Sequence, residues 1–237
     1  MRGITFDGKH SFRDFDLTIA PGRNIGNPSK IKRKERVPFS NVEYDFSNIY
    51  GGQEYTERPL IYTLNVIDKH NYSKDHFSIM KIAILNWLMG PSGKGKLTDD
   101  AIPGYYFLAE VENGPELEEH EFDGTLAVEF TAYPFKISEL EEGHDIWDEF
   151  NFLLDYAQIT DFEVSGSKDV ILYNPGTQPI KPKIQSSSGM EITKDNVIFN
   201  IPAGQSESYD FILMPGENKF RIQGNGSISF HFRKELI

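Results

Sequence analysis

The stretch GPSGKGKL is the first place where residue types and spacing suggest chemistry. Gly90, Gly95 and Lys96 match the spacing of a phosphate-binding loop, whose backbone N–H groups hold phosphates. Such a loop also needs a serine or threonine after the lysine to bind Mg²⁺, and Leu97 stands there instead. The preceding segment, 78–89, has apolar residues at helical spacing, so a helix comes before the glycines and not after them. We therefore predict a helix end at Gly90 followed by a connection, and no nucleotide site.

The remaining polar residues do not suggest a metal or catalytic site. The chain has no cysteine, which excludes disulfides and thiolate chemistry, and its 6 histidines include no pair at zinc-site spacing. No G-x-S-x-G nucleophile motif is present, and the 36 acidic residues offer too many carboxylate pairs for one to be singled out. The sequence therefore predicts a protein that is not an enzyme and has no metal or other cofactor.

A run of basic residues, SKIKRKER (29–36), stands out in a chain whose formal net charge is -12. A nucleic-acid-binding arm is one interpretation, but no aromatic side chains are interleaved for base stacking, and the overall charge repels phosphate. Lys30, Lys32, Lys34 and Arg36 alternate with the period of an exposed strand edge. We predict that these four residues form the oligomer contact, where a basic edge meets the acidic surface of a neighbouring copy.

The composition indicates a strand-rich protein without a membrane segment. The 237 residues include 18 Phe, 11 Tyr, 20 Gly and 13 Pro, a mixture typical of strands joined by turns. No apolar run approaches the roughly 18 residues that span a bilayer, and the N-terminal residues do not read as a signal peptide. We expect a protein that is made in the cytoplasm and does not insert into membranes.

The first half of the chain is predicted to be an α+β domain, residues 1–135. Its strands are predicted from the alternation of apolar and polar residues, which places one face of each strand in a core. The one strong helical pattern lies at about 74–89. The predicted strands cover 1–6, 12–19, 42–47, 57–68, 104–113 and 120–134.

The second half is predicted to be all β. The acidic stretch 136–146 has no apolar period and is the predicted linker. The next segment, 147–162, fits both a helix and a strand, and its aromatic and β-branched residues favour a strand. Turn residues then recur about every 8–12 residues, the pattern of a β-sandwich or jelly roll. The predicted fold class is thus mainly β, with domains at 1–135 and 147–237.

Several stretches in both halves resemble one protein family. In the first half they are TFDGKHSFRDFDLTI, YTERPLIYTLNV, the helix ending in LNWL, GKLTDDAIPGYYFLAEV and LAVEFTAYPF. In the second half they are ILYNPGTQPIKPKI and FILMPGENKFRIQGNGSISFHFR, of which the parts around Asn174–Gly176 and Pro215–Asn218 are the most specific. Together they cover almost the full chain, and they resemble the distal tail protein family of phages with long non-contractile tails.

The resemblance implies a virion structural protein at the tail tip of a phage or prophage, where it serves as a baseplate hub. It implies that the first domain assembles into a homo-hexameric ring, single or stacked, which continues the tail tube and leaves a channel through which DNA passes. It also implies that the second domain is a galectin-like β-sandwich that holds tail-tip, tail-associated or receptor-binding proteins. Such a ring closes through head-to-tail contacts, the geometry expected for the basic edge.

A galectin-like domain also suggests an alternative function, a carbohydrate-binding module that contacts host cell-wall glycans. Sugar sites usually place an exposed aromatic ring beside polar groups, and Trp147 is the candidate residue in this sequence. The same tryptophan could instead be part of the core.

Overall fold

The computed structural model describes residues 2–49, 51–67, 74–119, 123–146 and 150–237. The chain divides into two compact units, Met1–Lys136 with Ile237, and Ile137–Leu236. Both consist mainly of antiparallel strands, so the predicted mainly-β class is confirmed. Among the described helices, none is long and apolar enough to cross a membrane.

The first unit is a twisted antiparallel sheet accompanied by two helices in its described part. One sheet has the strand order β2-β1-β8-β9-β11-β7-β3, with β10 added beside β11 and β4 beside β7, whereas β5 and β6 form a two-stranded sheet of their own. The elements are β1 (Ile4–Phe6), β2 (Lys9–His10), α1 (Ser11–Phe15), β3 (Thr18–Ile19), β4 (Asn24–Ile25), β5 (Lys34–Arg36), β6 (Glu43–Asp45), β7 (Arg58–Ile67), α2 (Lys74–Met89), β8 (Gly95–Asp99), β9 (Tyr105–Glu110), β10 (Glu116–Glu119) and β11 (Asp123–Ala132).

The pair β7 and β11 forms the centre of the large sheet. It is in register from Arg58 opposite Ala132 to Ile67 opposite Asp123. Alternate residues of a strand point to the same face, and the apolar set of β7 is buried as its period-two spacing predicts. The buried residues of this strand include Leu60, Tyr62, Leu64 and Val66.

Helix α2 confirms the predicted helix at 74–89 and packs into the core of the same unit. Phe77, Ile84 and Trp87 are buried, and the Trp87 indole N–H donates a hydrogen bond to the Phe6 carbonyl at 2.8 Å. The helix ends before Gly90, as predicted. This hydrogen bond joins the helix to β1, the first strand of the unit.

The predicted strand at 12–19 is wrong, because helix α1 occupies most of it. The His10 ring nitrogen Nδ1 accepts hydrogen bonds from the backbone N–H groups of Phe12 and Arg13, at 3.0 and 3.1 Å. This cap satisfies two donors that the first turn of a helix leaves unpaired. Asp16 ends the helix in the left-handed conformation, with φ of 54°. Only Thr18–Ile19 forms a strand in this segment.

The connection predicted after Gly90 is shorter than expected, because Gly95–Asp99 forms β8. This strand pairs with β1 on one side and with β9 on the other. Leu97, the residue in the place of a magnesium ligand, is buried in the core. Gly95 and Lys96 therefore lie in a paired strand and not in a loop that could surround phosphates.

The second unit is a smaller antiparallel sheet structure. Five strands follow the order β16-β15-β18-β14-β17, and β13 pairs with β18. The strands of this sheet are β13 (Asp161–Asn174), β14 (Lys183–Ser186), β15 (Met190–Lys194), β16 (Val197–Ile201), β17 (Gly204–Glu207) and β18 (Gly216–His231). Outside it, β12 (Lys136–Ser138), which begins with the last residue before the unit boundary, pairs with β19 (Glu235–Leu236). Leu172, Ile184, Ile192, Leu213 and Ile222 are fully buried in its core.

Two buried asparagines hold the turns that carried the most specific part of the family resemblance. The Asn174 amide donates to the carbonyls of Gln178 and Leu213, at 2.8 and 3.0 Å. The Asn218 amide donates to the carbonyls of Met214 and Gly216, at 2.7 and 3.0 Å. Because buried polar groups need partners, these side chains fix the local chain path from inside.

Part of the predicted linker, 136–146, is built into the second unit. Ser138 and Glu142 are buried, and their backbone N–H groups donate to the carbonyls of Lys234 and Phe232, at 3.1 and 2.9 Å. The stretch lacks an apolar period because backbone hydrogen bonds and buried polar side chains hold it.

The strand predicted for 147–162 is wrong over 150–160, since β13 begins at Asp161. The Asn151 side chain accepts from the Leu153 N–H at 2.9 Å, and the Asp155 carboxylate accepts from the Asn151 N–H at 2.8 Å. Such local side-chain hydrogen bonds compete with strand formation. The turn leaves Phe152 and Leu153 exposed.

Candidate assembly surface

The predicted contact residues lie in an exposed two-stranded hairpin, residues 30–55, which we call the arm. Strands β5 and β6 pair in the register Lys34 opposite Asp45 and Arg36 opposite Glu43. At the base of the arm, a bridge joins Lys30 to Tyr55. Towards the tip, the Val37 N–H donates to the Val42 carbonyl at 3.0 Å. The arm is thus a hydrogen-bonded ribbon that forms a sheet separate from the core sheets.

The alternating basic residues are exposed, as predicted, but acidic residues of the arm neutralise two of them, Lys32 and Lys34. Lys32 Nζ lies 3.1 Å from Asp45 Oδ2, and Lys34 Nζ lies 3.0 Å from Glu43 Oε1. The hydrogen bond to Glu43 raises the pKa of Lys34. Arg36 donates to the Ser40 carbonyl through Nε at 3.4 Å. Exposed pairs of this kind add little stability, so their main effect is to cancel charge.

One further ion pair was not predicted. Arg33 Nη2 lies 2.7 Å from Oε2 of Glu54, the residue before Tyr55 at the base of the arm. The carboxylate of Asp45 also accepts from Ser47, and these hydrogen bonds, followed by Lys32, lower its pKa. The register of the hairpin places these acidic residues opposite the basic run. The register depends on the turn, so the sequence pattern alone does not predict these ion pairs.

The opposite face of the arm carries exposed apolar side chains beside Glu35, which pairs with Tyr44 across the ribbon. Val42, Tyr44 and Phe46 alternate along β6, and their exposed fractions are 49%, 56% and 42%. The sequence prediction of a strand at 42–47 is confirmed for Glu43–Asp45, but the expected burial of its apolar face is wrong. Period-two spacing shows that a face is apolar, and it does not show whether the chain itself or another molecule covers that face.

The tip of the arm presents a strained aromatic residue. The Ser40 N–H donates to the Val37 carbonyl at 3.2 Å, which closes a turn with Pro38 and Phe39 at its centre. Phe39 has φ of 59° and is fully exposed. A bulky residue in the left-handed region is unusual, and such strain is commonly found at functional positions.

The arm is almost neutral, although the chain is strongly acidic. It contains five basic residues and four acidic residues, against a net charge of -12 for the whole chain. A neutral arm with an apolar face can approach an acidic surface without charge repulsion, and its own basic residues contribute little attraction. The structure therefore moves the candidate contact from the basic side chains to the apolar face and the tip.

The second unit contains one arrangement that resembles a catalytic set. His231 Nε2 lies 3.0 Å from Ser229 Oγ, and His231 Nδ1 lies 3.0 Å from Glu141 Oε2. Ser229 pairs with Asp161 of β13 on one side and with Gln185 of β14 on the other. The backbone around Ser229 is therefore used in pairing within the sheet. The Asp161 carboxylate beside the serine would repel a developing oxyanion. We interpret the arrangement as a surface hydrogen-bond network.

Two further points of the sequence analysis concern metal binding and sugar binding. Across the described ranges, no group of three or more His, Asp or Glu side chains is arranged to hold a metal ion. Trp147, the candidate for a sugar platform, lies outside the described residues. The alternative of a carbohydrate-binding module therefore stays a prediction.

Comparison with solved structures gives a full-length match. The fold is similar to the crystal structure of SPP1 Dit (gp 19.1), a protein described as a paradigm of the hub adsorption apparatus in phages that infect Gram-positive bacteria. The match has a TM-score of 0.63 and 12% sequence identity, and it covers 100% of both chains. No protein-family model matches the sequence, and no curated protein matches it. The likeness shows that this chain has a Dit-like fold.

Proposed function

We propose that this chain is a structural protein of a phage or prophage tail tip and that its copies assemble into the hub of the tail. The observation that carries the proposal is the full-length likeness to SPP1 Dit, which includes both units of the chain. A virion tail location follows from this proposal. The exposed apolar face of the arm supports it, because a large apolar surface outside the core marks a contact with another molecule.

The proposed assembly is a closed ring of six copies, single or stacked. In such a ring each copy uses two different surfaces, since a head-to-tail contact repeats around the axis until the ring closes. We propose that the arm of one copy lies on the first unit of the next. The strongly acidic composition suits a channel for DNA, because like charge removes the gain from counterion release that makes DNA bind nonspecifically.

The proposed partners are the tail tube protein on one side of the ring and tail-tip or receptor-binding proteins on the other. We propose a galectin-like second unit that holds some of these proteins and has no enzymatic function. A role in binding and positioning other proteins fits a chain whose exposed arm carries apolar side chains rather than nucleophilic ones.

The proposal is tested by the molar mass of the full chain in solution. We expect size-exclusion chromatography with light scattering to show about six or about twelve copies at high protein concentration, and negative-stain images to show six-fold rings with an open centre. The double variant Tyr44→Ser with Phe46→Ser should remove these rings and keep the circular dichroism spectrum of the parent.

A matched control is Ile198→Ser with Val197→Ser, which changes two exposed apolar residues of the second unit. These variants should still form rings. A parent protein that forms a closed dimer or an open filament at every concentration, or rings that persist in the arm variant, would contradict the proposal.

A further inference from the structure

Arg58, the first residue of β7, is a buried cation for which the described part of the chain supplies no ion-pair partner. Its side chain is only 1% exposed, and among the described residues Nε and Nη2 have no hydrogen-bond partner. A buried unpaired charge costs several kcal/mol in general, so such groups in proteins almost always have a counter-charge. Arg58 therefore requires an explanation within a chain that has 36 acidic residues.

The residues beside Arg58 in neighbouring strands are small. Arg58 pairs with Ala132 of β11, Ala132 pairs with Ala109 of β9, and Ala109 pairs with Gly95 of β8. This row of small residues crosses four strands of the sheet. The guanidinium carbon lies 5.6 Å from the centre of the Phe107 ring, a contact that stabilises a cation only in part.

A second cation, Lys136, lies four residues beyond Ala132, the partner of Arg58 in β11. Burial, followed by the charge of Arg58, lowers the pKa of Lys136, and burial lowers that of Arg58. The nearby acids are engaged elsewhere: Lys94 lies 2.7 Å from Glu57 and 2.9 Å from Glu110. The two cations thus repel each other at the root of the arm, without a described carboxylate between them.

We propose that Arg58 and Lys136 form a binding site for an oxyanion, a carboxylate or a phosphate group, that comes from outside the described residues of this chain. The two unpaired donors of Arg58, Nε and Nη2, lie along one edge of the guanidinium group. That edge binds a carboxylate or a phosphate through two parallel hydrogen bonds. Lys136 is partly exposed and marks the side from which the anion enters.

Two sources have the required chemistry, and the site is argued independently of the proposed hub function. One is a free inorganic anion, and the other is an acidic side chain of a second copy of this chain. The first should act on the stability of the isolated chain, and the second should act on its assembly. Two experiments on the full chain separate these sources.

The first experiment measures thermal unfolding in chloride buffer and in phosphate or acetate buffer of equal ionic strength. We expect phosphate or acetate to raise Tm by about 3 °C or more for a free-anion site, because a ligand that binds only the folded state stabilises it. Arg58→Met should abolish the shift, and Arg58→Lys should reduce it, because lysine keeps the charge and loses the two-donor edge. Lys183→Met is the control and should keep the shift, since Lys183 is an exposed lysine of β14 in the second unit.

The second experiment measures molar mass by light scattering for the same variants. If the anion is a side chain of another copy, Arg58→Met should lower the molar mass, and Lys183→Met should not. The proposal is overturned if neither small anion shifts Tm and Arg58→Met assembles normally, or if the shift is the same in Arg58→Met. A large loss of Tm in Arg58→Met that is independent of the anion would also overturn it, because Arg58 would then be paired within the chain.

Discussion

At the scale of single residues, Phe39 is the side chain whose placement is hardest to explain without a partner. Its left-handed backbone costs about 1 kcal/mol relative to glycine, and its ring gains nothing from the fold because it is fully exposed. Large aromatic residues are enriched among those that dominate binding energy at interfaces. A strained and exposed aromatic at the tip of a ribbon fits an anchor that inserts into a pocket of the neighbouring copy.

We expect Phe39→Gly to leave Tm of the dilute protein unchanged or slightly raised, since it relieves the backbone strain. The same change should weaken self-association about tenfold or more, measured by sedimentation velocity over a concentration series. Tyr209→Ser is the control, because Tyr209 is also a highly exposed aromatic residue, in the second unit. Equal weakening by both variants would show a general loss of surface hydrophobicity and not an anchor at Phe39.

Residue spacing predicted some of these features and not others. The alternation of Lys32, Lys34 and Arg36 correctly predicted an exposed strand. It did not reveal that Glu43 and Asp45 face two of them, because that depends on hairpin register. The sequence does not indicate that Arg58 is buried, since a basic residue at the start of a strand is normally at the surface.

At the scale of elements, long periodic segments were predictable and short ones were not. Helix α2 and strand β7 have enough turns or alternations to show their period, and their bounds agree with the prediction. Helix α1 has five residues and forms because His10 caps it, and β8 has five residues and forms because strands pair with it on both sides. A side-chain cap decides α1 and strands distant in sequence decide β8, so the propensity of their own residues does not predict either element.

The turn before β18 allows a prediction about a single element. Gly216 has φ of 91°, so a side chain there is strained even though no atom would collide with it. Gly216→Ala should lower the stability of the second unit by about 1 kcal/mol, while Gly189→Ala, at an open position with ordinary φ, should not. Differential scanning calorimetry should show one of two transitions shifted by a few degrees. Two transitions that shift together would contradict independent unfolding of the units.

At the scale of the whole molecule, the net charge opposes assembly and the exposed apolar surface favours it. Copies with a net charge of -12 repel one another, and the arm brings an almost neutral, apolar surface into contact. If basic residues of the arm attracted an acidic neighbour, salt would weaken the assembly by screening that attraction. If the apolar face and Phe39 carry the contact, salt would instead screen the repulsion between acidic bodies.

We therefore expect the assembled fraction to rise between about 50 mM and about 500 mM NaCl, where the screening length falls from above about 10 Å to well below it. Light scattering at fixed protein concentration measures this directly. The triple charge reversal at Lys32, Lys34 and Arg36 should then reduce assembly at low salt, because it makes the arm acidic, and high salt should restore it. Assembly that falls as salt rises in the parent protein would instead support the basic edge as the contact, since only an attraction between opposite charges weakens in that way.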